Sequence, residues 1–130
     1  MYIFDGAMGT MLQAAGLEEG YCPELFNIER PEVVKDIHAQ YLQHGSDVIT
    51  TNTFGACGLK LEDYDLQDRV REINIAAVKV AKEAIAETKP TARVAGSMGP
   101  TGRFLQPLGN MSFDSIYDTY REQAEALIEG

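Results

Sequence analysis

Three times along 130 residues, an apolar stretch runs into a loop of glycines and short polar side chains, and a helical pattern follows. The stretches begin near residues 1 (MYIF), 47 (DVITT) and 93 (RVAGS), evenly spaced along the chain. Such β-α alternation demands parallel strands joined by crossovers whose helices cover the sheet. Two architectures satisfy it, a doubly wound open sheet and a (β/α)8 barrel.

The pattern also places the elements. MYIF reads as a short buried strand, and Thr10 to Ala15 as a short helix ended by Gly16. Leu17 to Arg30 reads as irregular, broken by Gly20, Pro23 and Asn27. Pro31 suits the first turn of a helix carrying Val34, Ile37 and Tyr41, and Gly45 suits its C-cap. From Gln67 to about Thr88, Val70, Ile73, Ala77, Ala81 and Ala84 make one helical face, and Pro90 closes the run. Ser112 is a candidate N-cap for a last helix carrying Phe113, Ile116, Tyr120, Ala124 and Leu127, with Asp114 in its first turn.

Composition removes several classes of partner. With 11 basic against 20 acidic residues the formal charge is −9, so the chain lacks the cationic face that a nucleic acid or an anionic membrane requires. No run approaches a membrane span and no signal-peptide pattern opens the chain, so a soluble, cytoplasmic protein is expected. Cys22 and Cys57 fit no metal-ligand spacing and read as free thiols. His38 and His44 stand six apart on different sides of a helix, poorly placed to share a metal.

Each strand end leads into its own glycine loop: Asp5–Thr10, Asn52–Gly58 and Gly96–Gly102. In parallel α/β folds such loops meet on one face, where ligands bind. None carries a dinucleotide or P-loop fingerprint. Asp5 allows two readings. It either caps its own turn, or it holds an ammonium group while the following amides hold a carboxylate, as an α-amino acid would require.

The stretches "DGAMGT", "ELFNIERPEVVKDIHAQYLQHGSDVITTNTFGA" and "VAGSMGPTG" together resemble the homocysteine S-methyltransferase family over nearly the whole chain. "TNTFGA" and "GPTG" look most like its cobalamin-dependent branch. The resemblance implies a (β/α)8 barrel of which residues 1–130 are about the first three βα units, stopping before strand four. It implies transfer of a methyl group from methylcobalamin to a zinc-bound homocysteine thiolate, giving methionine. S-methylmethionine or betaine as donor is the alternative on the same barrel; a non-catalytic half-barrel that assembles with other chains is the alternative of another class.

Carried onto this sequence, the loop Asp5, Gly6, Ala7, Met8 and Gly9 clamps homocysteine. Asp5 takes the ammonium, and the amides around Met8 and Gly9 take the carboxylate. Asn52, Thr53 and Phe54 line the pocket, and Gly99 and Pro100 shape it. The family's three zinc cysteines and a second acid after strand four have no counterpart here. The 130 residues alone are therefore expected to be inactive, to hold no zinc, and to self-associate. Their partners would be the rest of the barrel and a cobalamin module.

Overall fold

The computed structural model describes residues 1–130. Two strands, β1 (Val48–Thr50) and β2 (Arg93–Ala95), pair in parallel with Ile49 opposite Val94. The opening segment lies along the other edge of β1. Phe4 bridges Val48 in parallel, and the Asp5 amide donates to the Val48 carbonyl at 3.0 Å. Three chain segments thus run side by side in the order 3–5, β1, β2.

The helices in chain order are α1 (Gly9–Ala14), α2 (Phe26–Glu29), α3 (Pro31–Gln43), α4 (Gly58–Leu61), α5 (Val70–Thr88) and α6 (Phe113–Glu129). Pro31 opens α3 at a position that needs no N–H donor, and Gly45 ends it with φ +109°, which a side chain would disfavour. Ser112 caps α6, its Oγ accepting from the Ser115 amide at 3.1 Å. The Gln67–Arg69 stretch is a 3-10 turn, and the regular helix begins at Val70.

α5 is the centre of the packing, with α3 on one flank and α6 on the other. Its Val70, Ile73, Ala77, Ala81 and Ala84 are fully buried, the face that the periodicity marks. Burying a valine or isoleucine contributes about 1.5–3 kcal/mol, and the alanines let neighbours approach. Ile49 packs with Leu42 of α3 and Ala81 and Ala84 of α5, and Val94 joins them. Val94 also shares a hollow with Leu127 of α6. The three long helices therefore cover the same face of the sheet.

Two expectations need correction. MYIF is not buried, since its residues are 51–111% exposed. It has one neighbouring strand, and no helix covers it. Leu17–Arg30 is not irregular, because Pro23 opens a 3-10 turn (Pro23–Leu25) and Asn27 lies inside α2. On α6, Phe113 is 69% exposed, while Gln123 and Ala126 face the core.

Candidate functional site

The loops after the three parallel segments meet at one end of the sheet. They enclose a cavity of about 430 Å³ lined by Asp5, Gly6, Met8, Gly9, Asn52, Thr53 and Phe54, with Phe4, Pro23, Glu24, Thr50, Thr51 and Ser97. Seven of the residues singled out by sequence come together there. Ala7, Gly99 and Pro100 do not reach the wall. Gly99 is buried behind Phe54, its amide donating to the Phe54 carbonyl at 3.0 Å. Pro100 is exposed and borders a neighbouring hollow with Phe104 and Leu108.

Asp5 does not cap its own turn. One carboxylate oxygen accepts from the Thr50 amide and the other from the Thr50 hydroxyl, both at 2.7 Å. The side chain is thus fixed from β1, with acceptor capacity left on each oxygen. Beyond it, the amides from Gly6 to Met11 find no acceptor in the chain. Tyr41 on α3 holds this loop from behind, its hydroxyl donating to the Ala7 carbonyl at 2.8 Å. A Cβ on Gly6 would stand 3.0 Å from that ring, so a side chain there would press on the brace.

The second loop is held from three sides. Asn52 Nδ2 donates to the Pro23 carbonyl at 2.9 Å, while the Asn52 carbonyl accepts from Asn27 at 2.7 Å. The Thr53 hydroxyl donates to the Ser97 carbonyl at 2.8 Å and contacts the Thr51 hydroxyl at 2.6 Å. Gln123, reaching in from α6, donates to the Thr53 carbonyl at 2.9 Å and lies 3.3 Å from Asn74 Oδ1. Thr53 therefore shapes the wall with its hydroxyl already engaged. Phe54, 64% exposed, sits at the mouth.

Sequence reasoning missed Glu24, Thr50, Thr51, Ser97 and the supporting Gln123. Thr50 and Thr51 were visible as the polar end of a strand. Glu24 had only its place beside Pro23 as a signal.

The cavity is acidic. It holds the carboxylates of Asp5 and Glu24 and no lysine or arginine. Burial, reinforced by the nearby Glu24 charge, pushes the Cys22 thiol up to about 12, and burial raises Cys57 as well. Burial lowers His38 to about 4, against the opposing pull of Asp5. Zinc needs deprotonated thiolates or accessible imidazole nitrogens. No three His, Cys, Asp or Glu side chains converge as a metal site. The residues present do not fit a zinc ion.

Residues 2–130 match the family model described as Homocysteine S-methyltransferase. A methionine synthase of Mycobacterium tuberculosis (strain ATCC 25618 / H37Rv) is 40% identical over 136 residues, covering 97% of this chain and 11% of that protein. A methionine synthase of Mycobacterium leprae (strain TN) is 39% identical over the same shares. The crystal structure of the metallated form of the homocysteine methyltransferase MmuM from Escherichia coli superposes with a TM-score of 0.79 at 26% identity. That match covers 98% of this chain and 50% of the MmuM chain. This chain thus spans about half the length of MmuM and a small part of the two synthases. With a match across its length and three strand-end loops meeting at one cavity, the chain belongs to the homocysteine S-methyltransferase family.

Proposed function

We propose that these residues form the first three βα units of a (β/α)8 barrel, and that their cavity clamps the amino-acid head of homocysteine in a methionine synthase. The observation that carries the reading is the pairing of an anchored carboxylate, Asp5, with amides lacking acceptors at Gly6, Met8 and Gly9, beside one cavity. An ammonium group suits the first and a carboxylate the second. Long helices on a single face of the sheet favour a barrel over a doubly wound sheet, which carries helices on both. The 40% identity to a methionine synthase favours that activity over other methyl donors.

The division of labour follows. Asp5 orients the ammonium, Met8 and Gly9 present amides to the carboxylate, and Asn52, Thr53 and Phe54 bound the pocket. Gly99 acts through Phe54, and Pro100 shapes the adjoining loop. Activation of the thiol by zinc and donation of the methyl group by methylcobalamin belong to other parts of a cytoplasmic enzyme, among them the rest of the barrel and a cobalamin module.

Asp5→Asn in the full-length enzyme is expected to weaken homocysteine binding roughly ten- to hundredfold, the range for losing a charge-assisted hydrogen bond in a shielded pocket. An asparagine can still accept from the Thr50 amide and donate to its hydroxyl, so folding should be spared. Calorimetric titration tests this. Affinities within about twofold, with unchanged melting, would remove Asp5 from the clamp.

The 130 residues by themselves are expected to self-associate. Ile3 and Phe4 are more than half exposed on a segment paired only with β1, and β2 is likewise paired only with β1, so both outer edges are open to pairing with other chains. Light scattering at micromolar concentration should show oligomers, and a monodisperse monomer would count against the open-edged barrel segment.

A further inference from the structure

Tyr41 ties the opening loop to the core and sets the direction of one peptide beside the cavity. Its ring packs against two apolar clusters at once, one containing Leu12 and Val34 and the other Leu42 and Ile49, so it stands as a fixed post. The post ends on the loop. The hydroxyl donates to the Ala7 carbonyl at 2.8 Å, and a Cβ on Gly6 would stand 3.0 Å from the hydroxyl oxygen and from Cε1 of the ring. Both partners belong to the first βα unit, so later units of a barrel would add neighbours without replacing the contact.

The consequence follows from the peptide plane. The Ala7–Met8 peptide is trans, and a trans peptide points its C=O and its N–H in opposite directions. A carbonyl drawn toward α3 therefore sends the Met8 N–H away from α3. The cavity lies on that far side, since Met8 lines it and no residue of α3 does. The hydrogen bond to the oxygen also polarises the same amide and strengthens it as a donor. Without the hydroxyl the peptide is free to turn over. Its turned form presents the carbonyl oxygen to the cavity, where a carboxylate would be repelled.

We propose that Tyr41 is a positioning residue that aims the Met8 amide at the ligand's carboxylate, and so selects amino acids over amines of the same length. The inference rests on reading the cavity as an amino-acid clamp, and it names the half of the clamp that α3 sets. The ammonium half is set from elsewhere, because Asp5 is fixed from β1 through the amide and hydroxyl of Thr50.

The rival role for Tyr41 is a general brace whose loss loosens the whole loop. The two roles part on ligand chemistry. The full-length holoenzyme, wild type and Tyr41→Phe, is titrated with homocysteine and with 3-aminopropane-1-thiol, which keeps the thiol and the ammonium but lacks the carboxylate. Phenylalanine keeps the ring and its packing and removes only the hydroxyl. The expected result is a roughly three- to tenfold loss for homocysteine, the range for one hydrogen bond, with 3-aminopropane-1-thiol unchanged. Equal losses for both ligands would make Tyr41 a brace, and no loss for either would mean that the Met8 amide is aimed without it; both overturn the proposal. If the wild type fails to prefer homocysteine to 3-aminopropane-1-thiol, the clamp reading itself fails and this proposal with it. Should Tyr41→Phe not fold, Gly6→Ala presses the hydroxyl off Ala7 from the loop side. The same two-ligand comparison then decides, with a loss confined to homocysteine expected.

Discussion

Gly99→Ala is expected to destabilise the protein by about 3 kcal/mol and to damage the cavity mouth, although Gly99 touches no ligand. A methyl group here would overlap the Phe54 carbonyl oxygen and stand 2.9 Å from both Phe54 Cδ carbons. The same carbonyl accepts from the Gly99 amide at 3.0 Å, so retreat from the clash stretches that hydrogen bond. Overpacking costs about 1–3 kcal/mol and a lost hydrogen bond about 1 kcal/mol. For a domain of this size, that lowers the melting temperature by roughly 10 °C. Phe54 must shift with the loop, so homocysteine affinity should fall as well. Gly58→Ala is the control, because its Cβ would meet Val70 at an ordinary 3.6 Å at the start of α4. Thermal melts of the two variants check the argument. A Gly99→Ala protein melting within about 2 °C of wild type would show that the third loop gives way freely and does not buttress Phe54.

That contact also shows where the sequence stops being legible. The glycine loops, β1, α3 and the inner face of α5 follow from local signals such as β-branched runs, Pro31, Gly45 and the spacing from Val70 to Ala84. What joins the loops is not local. Asn27 reaches the Asn52 carbonyl across 25 positions, and Gln123 reaches the Thr53 carbonyl across 70. Each is a polar side chain that a pattern of apolar residues assigns to solvent, and each is buried because a distant backbone carbonyl accepts from it. Glu24 was missed for the same reason. It stands between proline and leucine in a stretch that looks broken, and only the fold shows that the break is a turn against the second loop. The opening strand erred in the other direction. Its apolar side chains require cover, but within this chain they have β1 on one edge only.

Mild acidification is expected to cost the protein stability through His38. The imidazole is fully buried on α3, and neither ring nitrogen has a partner in the chain. Burial holds its pKa near 4 in the folded protein, despite the pull of Asp5, against an ordinary value of 6.5. Between those values the unfolded chain takes up a proton that the folded chain refuses. Stability is therefore full above pH 6.5, falls as the pH drops, and levels off once the folded state also protonates near 4. At about 1.4 kcal/mol per pH unit of displacement, the whole window is worth about 3 kcal/mol. The carboxylates held below their usual range by Lys or Arg partners, Asp47, Asp63 and Glu72, act in the same direction but at lower pH. They lose their contribution only as the pH passes the ordinary carboxylate range near 4, so the stretch from 6.5 to about 4.5 isolates His38. Urea unfolding of wild type across that stretch should lose about 2.5 kcal/mol, while His38→Leu should lose well under 1 kcal/mol. Parallel losses in the two proteins would place the acid sensitivity elsewhere and would mean that the ring nitrogens of His38 find partners in solution.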